Sequence, residues 1–204
     1  MDKFKHAFVI TGSIGSGKST VCSILKLYGF SVIDADEISH KILDNLSDKI
    51  AKEFGENFVS NGKVLRKELG KLVFNNKKKL QILENLLHPY IKNEILKQCK
   101  ELEKFQIPYF VDIPLYFEKQ NYAMFDKVVV VYAPKDTLIN RVKKRNLLTQ
   151  NEALNRINLQ IDIEKKRKLA NFVIDNSFDF KNLNNEIDKF IQILKAEFTN
   201  LKNL

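Results

Sequence analysis

Near the amino terminus the residues Gly12-Ser13-Ile14-Gly15-Ser16-Gly17-Lys18-Ser19-Thr20 fit the pattern G-x-x-x-x-G-K-[ST]. Glycines at this spacing let successive backbone N–H groups turn toward one anion, and the start of a following helix adds its partial positive charge. Lys18 can reach the β and γ phosphates of a nucleoside triphosphate, and the Ser19 hydroxyl can ligate Mg²⁺. The apolar run Ala7-Phe8-Val9-Ile10-Thr11 comes directly before the loop and a helical pattern, Val21 to Tyr28, directly after it. Strand, loop and helix thus stand in the order that a phosphate cradle requires. The expected ATP ligands are Gly12, Gly15, Ser16, Gly17, Lys18, Ser19 and Thr20.

Phosphoryl transfer needs an aligned acceptor oxygen, neutralisation of charge and a group that takes the hydroxyl proton. Carboxylates follow the second apolar run in Val32-Ile33-Asp34-Ala35-Asp36-Glu37, and ligands of open parallel sheets bind beyond the carboxyl ends of the strands. Asp36 is therefore a candidate general base. It is equally suited to cap the helical stretch Glu37 to Leu43, and the residues alone leave the two roles level. Asp112, at the end of another apolar run, is a candidate for the metal side of the site, with a solvated strand-end acid as the alternative.

Arg141 and Arg145 share one helical face, where like charges call for a compensating anion. A triphosphate supplies one, and arginine can hold phosphate oxygens through two bonds. The plain alternative, an exposed helix surface, weighs more heavily for Lys166 and Arg167. His88 precedes Pro89, which biases it toward extended geometry, so it reads as a boundary before a helix over Tyr90 to Cys99 or as a buried hydrogen-bonding residue.

These groups need a scaffold. Short β-branched or aromatic runs recur at Ala7–Thr11, Ser31–Ile33, Tyr109–Ile113, Val128–Tyr132 and Phe172–Ile174, separated by helical patterns. Such alternation predicts an α/β fold, a parallel sheet of about five strands with helices on both faces. The nucleotide-binding core then takes residues 1–37, 106–135 and 169–204 of a single domain. Residues 38–105 carry leucines and isoleucines at helical spacing and exceed what one crossover needs, so they read as a helical insertion for the second substrate. Residues 136–168, charged and weakly apolar, read as a mobile cover. Leu183 to Phe198 reads as an amphipathic helix on the sheet.

The chain has 204 residues, 44% of them hydrophobic, enough for one good core. Its formal charge of +9 suits a nucleic acid or a small polyphosphate, and charge alone does not choose between them. Two cysteines, Cys22 and Cys99, lie far apart and suggest neither a zinc site nor a disulfide framework. With no apolar run of membrane-spanning length and no room for a signal peptide before the first strand, the expectation is a cytoplasmic protein without membrane contact.

Taken together, the pieces resemble the dephospho-CoA kinase family. The resemblance is carried by Ile10 to Thr20, Val32-Ile33-Asp34-Ala35-Asp36, Leu87-His88-Pro89, Asp112-Ile113-Pro114-Leu115 with Phe117-Glu118, and Val173-Ile174-Asp175-Asn176. Any P-loop kinase could show the first; the order and spacing of the others point to this family. The resemblance implies ATP-dependent phosphorylation of the ribose 3′-hydroxyl of dephospho-CoA, with Mg²⁺ and with no nucleic-acid partner; the sequence does not fix the oligomeric state, for which a monomer is favoured. It implies that Asp36 is the catalytic base, that Arg141 and Arg145 belong to a lid over residues 136–168, and that Arg66, His88 and Pro89 help to seat the CoA portion. Ser13, Tyr116 and Asn171 stand where the family more often has glycine, leucine and aspartate. Rival readings are a nucleoside monophosphate kinase and a basic nucleic-acid-binding ATPase; a GTPase is disfavoured because no N-K-x-D sequence occurs.

Overall fold

The computed structural model describes residues 3–119 and 122–201. The element order is β1 (Ala7–Gly12), α1 (Lys18–Leu27), β2 (Val32–Asp34), α2 (Ala35–Asn45), α3 (Ser47–Phe54), β3 (Val59–Ser60), β4 (Lys63–Val64), α4 (Arg66–Phe74), α5 (Lys77–Glu103), β5 (Tyr109–Asp112), β6 (Val128–Tyr132), α6 (Lys135–Asn146), α7 (Gln150–Asn158), α8 (Ile163–Leu169), β7 (Phe172–Asp175) and α9 (Phe180–Glu197). The chain forms two compact units, one from residues 1–33 with 101–204 and one from residues 34–100.

The main sheet has the order β2-β5-β1-β6-β7. β1 runs parallel to both β5 and β6, and β6 parallel to β7. Phe8 and Ile10 of β1, Phe110 of β5, Val129 and Val131 of β6 and Ile174 of β7 enter one core with Val21, Ile24 and Leu25 of α1 and with Leu183, Ile187, Phe190 and Leu194 of α9. The intervening residues Val9, Val111 and Val130 are equally buried. Both faces of the sheet are therefore covered, which is why its strands read as continuous apolar runs rather than alternating ones. Asn171, where the family resemblance leads one to expect aspartate, accepts the Val128 N–H at 2.8 Å, so its side-chain oxygen still fastens the entry of β7 to β6.

The smaller unit contains a feature that helical periodicity conceals. β3 and β4 form an antiparallel hairpin closed by Asn61 and Gly62, whose φ values are 50° and 70°. Asn-Gly is a residue pair suited to such a turn because both positions require left-handed backbone. A second difference concerns Pro89, which lies inside α5 instead of opening a new helix. An interior proline typically costs about 3 kcal/mol. Here Leu87, Ile91, Ile95 and Cys99 are buried along the helix on both sides of it, and that burial outweighs the broken backbone bond. His88 is accordingly helical, not extended.

Candidate active site

The phosphate loop occupies the turn between β1 and α1, and its glycines are required by geometry. Gly17 has φ of 89°, and a Cβ there would lie 2.2 Å from Asn176 Nδ2. A side chain at Gly12 would meet Ser16 Oγ at 2.6 Å and the Val131 carbonyl at 2.8 Å. Only hydrogen fits in either place, so the chain can turn tightly at the start of α1 and present backbone N–H groups. Ser13 closes the loop from within, its carbonyl accepting the Ser16 N–H at 3.0 Å. Lys18 follows at the first position of α1 and pairs with Asp112 Oδ1 at the end of β5. Cys22 Sγ lies 3.5 Å from the other oxygen of Asp112.

Asp112, assigned to the metal side from sequence, thus faces the phosphate-loop lysine. Ser19 is exposed directly after Lys18. A serine hydroxyl and one carboxylate are hard oxygen donors. They fit Mg²⁺, which takes one or two protein ligands and completes its shell with phosphate oxygens and water. Among the described residues no cluster of three or more His, Cys, Asp or Glu side chains could hold a metal, so a dedicated protein cage is not the arrangement these donors offer.

Arg141 of α6 reaches the loop. Its guanidinium donates to the Asn176 carbonyl at 2.9 Å and approaches the Gly15 carbonyl at 3.5 Å. Asn176 in turn donates through Nδ2 to the Ser16 carbonyl at 2.7 Å. Arg145, one turn further along α6, is exposed and bonds to Asn146. Of the two arginines, Arg141 is the one brought to the phosphate loop.

The largest departure from the sequence expectation is Lys166, whose place in a charge run suits a solvated helix face. It is 0% exposed, and its ammonium donates to the Gly12 carbonyl at 3.1 Å and to Glu118 at 2.8 Å. Burial pushes its pKa down, and the hydrogen bond and charge of Glu118 oppose that shift. Its neighbour Arg167 does lie at the surface, over the Tyr132 ring at 4.6 Å. Gln160 and Asn176 also escaped the sequence reading. Gln160 Oε1 accepts the Ile14 N–H at 2.9 Å. The available signal for Lys166 was its place three residues after the buried Ile163, on one face of α8.

In the smaller unit the N-cap of α2 is Asp34, whose Oδ1 accepts the N–H groups of Asp36 at 2.9 Å and Glu37 at 3.0 Å. Capping is therefore not the task of Asp36. Its carboxylate is exposed in the first turn of α2, close in sequence to the end of β2. Arg66, at the start of α4, donates to Asp44 Oδ2 at 2.5 Å, while Asp44 Oδ1 accepts the Val64 N–H at 3.2 Å. Asp44 thus ties β4 and α4 to α2.

Burial raises the Asp44 pKa, but the Arg66 hydrogen bond, the Val64 N–H and the charges of Arg66 and Lys63 together outweigh it, and the net direction is below the ordinary 3.8. A carboxyl depressed by folding adds stability that is complete above its unfolded pKa and fades as pH falls through the folded one. Asp44→Asn is therefore expected to lower the melting temperature at neutral pH, by a small amount because the pair is partly exposed. Thermal melts repeated at falling pH should show the two proteins converging below the ordinary aspartate range. A constant difference across that range would exclude this origin.

Residues 7–182 match the family model described as dephospho-CoA kinase. A dephospho-CoA kinase of Wolinella succinogenes is 40% identical over 199 residues, covering 97% of this chain and 99% of that one. Among solved structures, the dephospho-CoA kinase from Campylobacter jejuni is 39% identical with a TM-score of 0.71, covering 94% of this chain and 98% of its own. A Thermus thermophilus protein is 31% identical with a TM-score of 0.78, covering 97% and 98% of the respective chains.

Proposed function

The chain belongs to the dephospho-CoA kinase family, and from that premise we propose how its own residues divide the work of phosphorylating the ribose 3′-hydroxyl of dephospho-CoA with ATP. The observation that carries the proposal is the junction of β1 and α1, where a sterically required glycine loop leads directly into Lys18 and Ser19. The loop from Gly12 to Thr20 holds the phosphates through backbone N–H groups other than those of Ile14 and Ser16, which are bonded to Gln160 and to the Ser13 carbonyl. Lys18 leaves Asp112 for the β and γ phosphates when ATP enters, exchanging one anionic partner for another. Arg141, with Arg145 nearby on α6, faces the charge that spreads over the transferring group.

Ser19 and Asp112 would hold Mg²⁺. That ion supplies neutralisation of phosphate charge. Asp36 accepts the proton of the attacking 3′-hydroxyl, since its carboxylate is not consumed in capping α2. Arg66, His88 and Pro89 line the seat of the CoA portion; Asp44 leaves further guanidinium donors of Arg66 for an anionic group of the acceptor. Residues 136–168 close over the nucleotide and 38–105 hold the acceptor. The buried thiols of Cys22 and Cys99 suit a reducing cytoplasm. We expect a monomer that acts on these two small molecules and not on nucleic acid, and none of the described helices is long and apolar enough to cross a membrane.

The test is ADP release from Mg-ATP with a panel of acceptors, with phosphorus NMR to locate the new ester. Dephospho-CoA should yield one ADP per molecule and a 3′-phosphomonoester. Preference for nucleoside monophosphates, or hydrolysis stimulated by DNA or RNA, would overturn the reading.

A further inference from the structure

Three carbonyl groups of the phosphate loop are held by side chains from outside it. Lys166 bonds the Gly12 carbonyl, Asn176 the Ser16 carbonyl, and Arg141 approaches that of Gly15. In a trans peptide the C=O and the next residue's N–H point in opposite directions, and the described residues contain no cis peptide. A side chain that draws a carbonyl outward therefore turns the following N–H the other way. Lys166 fixes the Ser13 N–H in this manner, and Asn176 the Gly17 N–H.

Lys166 also joins the loop to the connection between α7 and α8. Its second partner, Glu118 Oε1, also accepts the Ile161 N–H at 3.0 Å. Gln160, the preceding residue, takes the Ile14 N–H. Residues 160–166 thus grip the loop at Gly12 and at Ile14, on either side of Ser13. A surface lysine could not do this; a buried ammonium is retained only where its bonds compensate for lost hydration.

We propose that Lys166 is a positioning residue for ATP: together with Gln160 it sets the orientation of the phosphate-loop peptides and couples the α7–α8 connection to the nucleotide. The inference rests on the reading that this loop binds ATP.

Removing Lys166 alone would strand Glu118, so the informative variant is K166M/E118Q, which removes both charges at nearly constant volume. K166M is expected to lower the melting temperature and K166M/E118Q to recover most of it. ADP binding with Mg²⁺, measured by calorimetry, should nevertheless remain about tenfold weaker in K166M/E118Q, as for loss of a hydrogen bond from a charged donor. The KM for ATP should rise while that for dephospho-CoA holds. Recovery of both melting temperature and ADP affinity would reduce Lys166 to one half of a structural ion pair and overturn the proposal. Should K166M/E118Q not fold, Q160A decides: weaker ADP binding at an unchanged melting temperature supports the coupling, and wild-type ADP binding overturns it. Because ADP binding needs no acceptor, absence of turnover with dephospho-CoA in the native protein would sink the assigned reaction and leave this result interpretable.

Discussion

Asp36→Asn is expected to reduce kcat by about 10²–10⁴-fold, the usual range for loss of a general base, while ATP binding stays nearly normal. The substitution keeps size and polarity and removes the ability to take a proton at neutral pH. It also leaves the N-cap of α2 intact, because Asp34 provides both capping bonds. A fall in turnover therefore cannot be ascribed to unravelling of α2, and an unchanged melting temperature would confirm that separation. The structural contrast is Asp34→Asn. Asparagine also caps helices well, so that variant should keep most of its activity. Steady-state kinetics with dephospho-CoA as the varied substrate check both expectations. Wild-type turnover by D36N would remove Asp36 from the chemistry.

Arg141→Met should be nearly as damaging but with a different signature. Loss of one preorganised donor to developing charge typically costs about 10²–10³ in kcat. Arg141 also holds the Asn176 carbonyl, and Asn176 holds Ser16 in the loop. The substitution should therefore weaken ATP binding as well as slow transfer, so that kcat falls and the KM for ATP rises. Arg141→Lys retains the charge without the planar fork and should land between the two. Arg145→Met, at an exposed position one turn away, should cost far less. Equal losses at the two arginines would contradict the place of Arg141 against the loop.

Why some of this was legible in the chain and some was not follows from how local each signal is. The phosphate loop depends on glycines at fixed offsets between a strand and a helix, and every part of that signal lies within a few neighbouring residues. The sheet was legible for a related reason: strands buried on both faces carry β-branched and aromatic runs that need no partner to be noticed. The hairpin at Asn61-Gly62 was equally local. Its two-residue strands are too short to stand out beside the leucine periodicity of α5, which dominates the segment.

Lys166 illustrates the opposite case. In sequence it belongs to Lys165-Lys166-Arg167-Lys168, a charge run like any solvated helix face. Its burial depends on Gly12 and Glu118, both far away in the chain, and nothing about its own neighbours specifies them. Pro89 was misread for a similar reason. Its local preference favours a helix start, whereas the buried residues flanking it in α5 decide the outcome. The N-cap of α2 falls at Asp34, two residues before Asp36, because the helix begins at Ala35 and not at Glu37; boundaries that close together lie below the resolution of pattern reading.

Transfer as proposed requires the Asp36 carboxylate beside the acceptor oxygen when ATP fills the phosphate loop. A crystal structure of the protein with Mg-ADP and dephospho-CoA tests it most directly. It should place the Asp36 carboxylate about 2.6–3.2 Å from the ribose 3′-oxygen, as proton transfer requires, with the ADP phosphates in the loop from Gly12 to Thr20. A ribose hydroxyl bonded to a different base, with Asp36 turned to solvent, would contradict it.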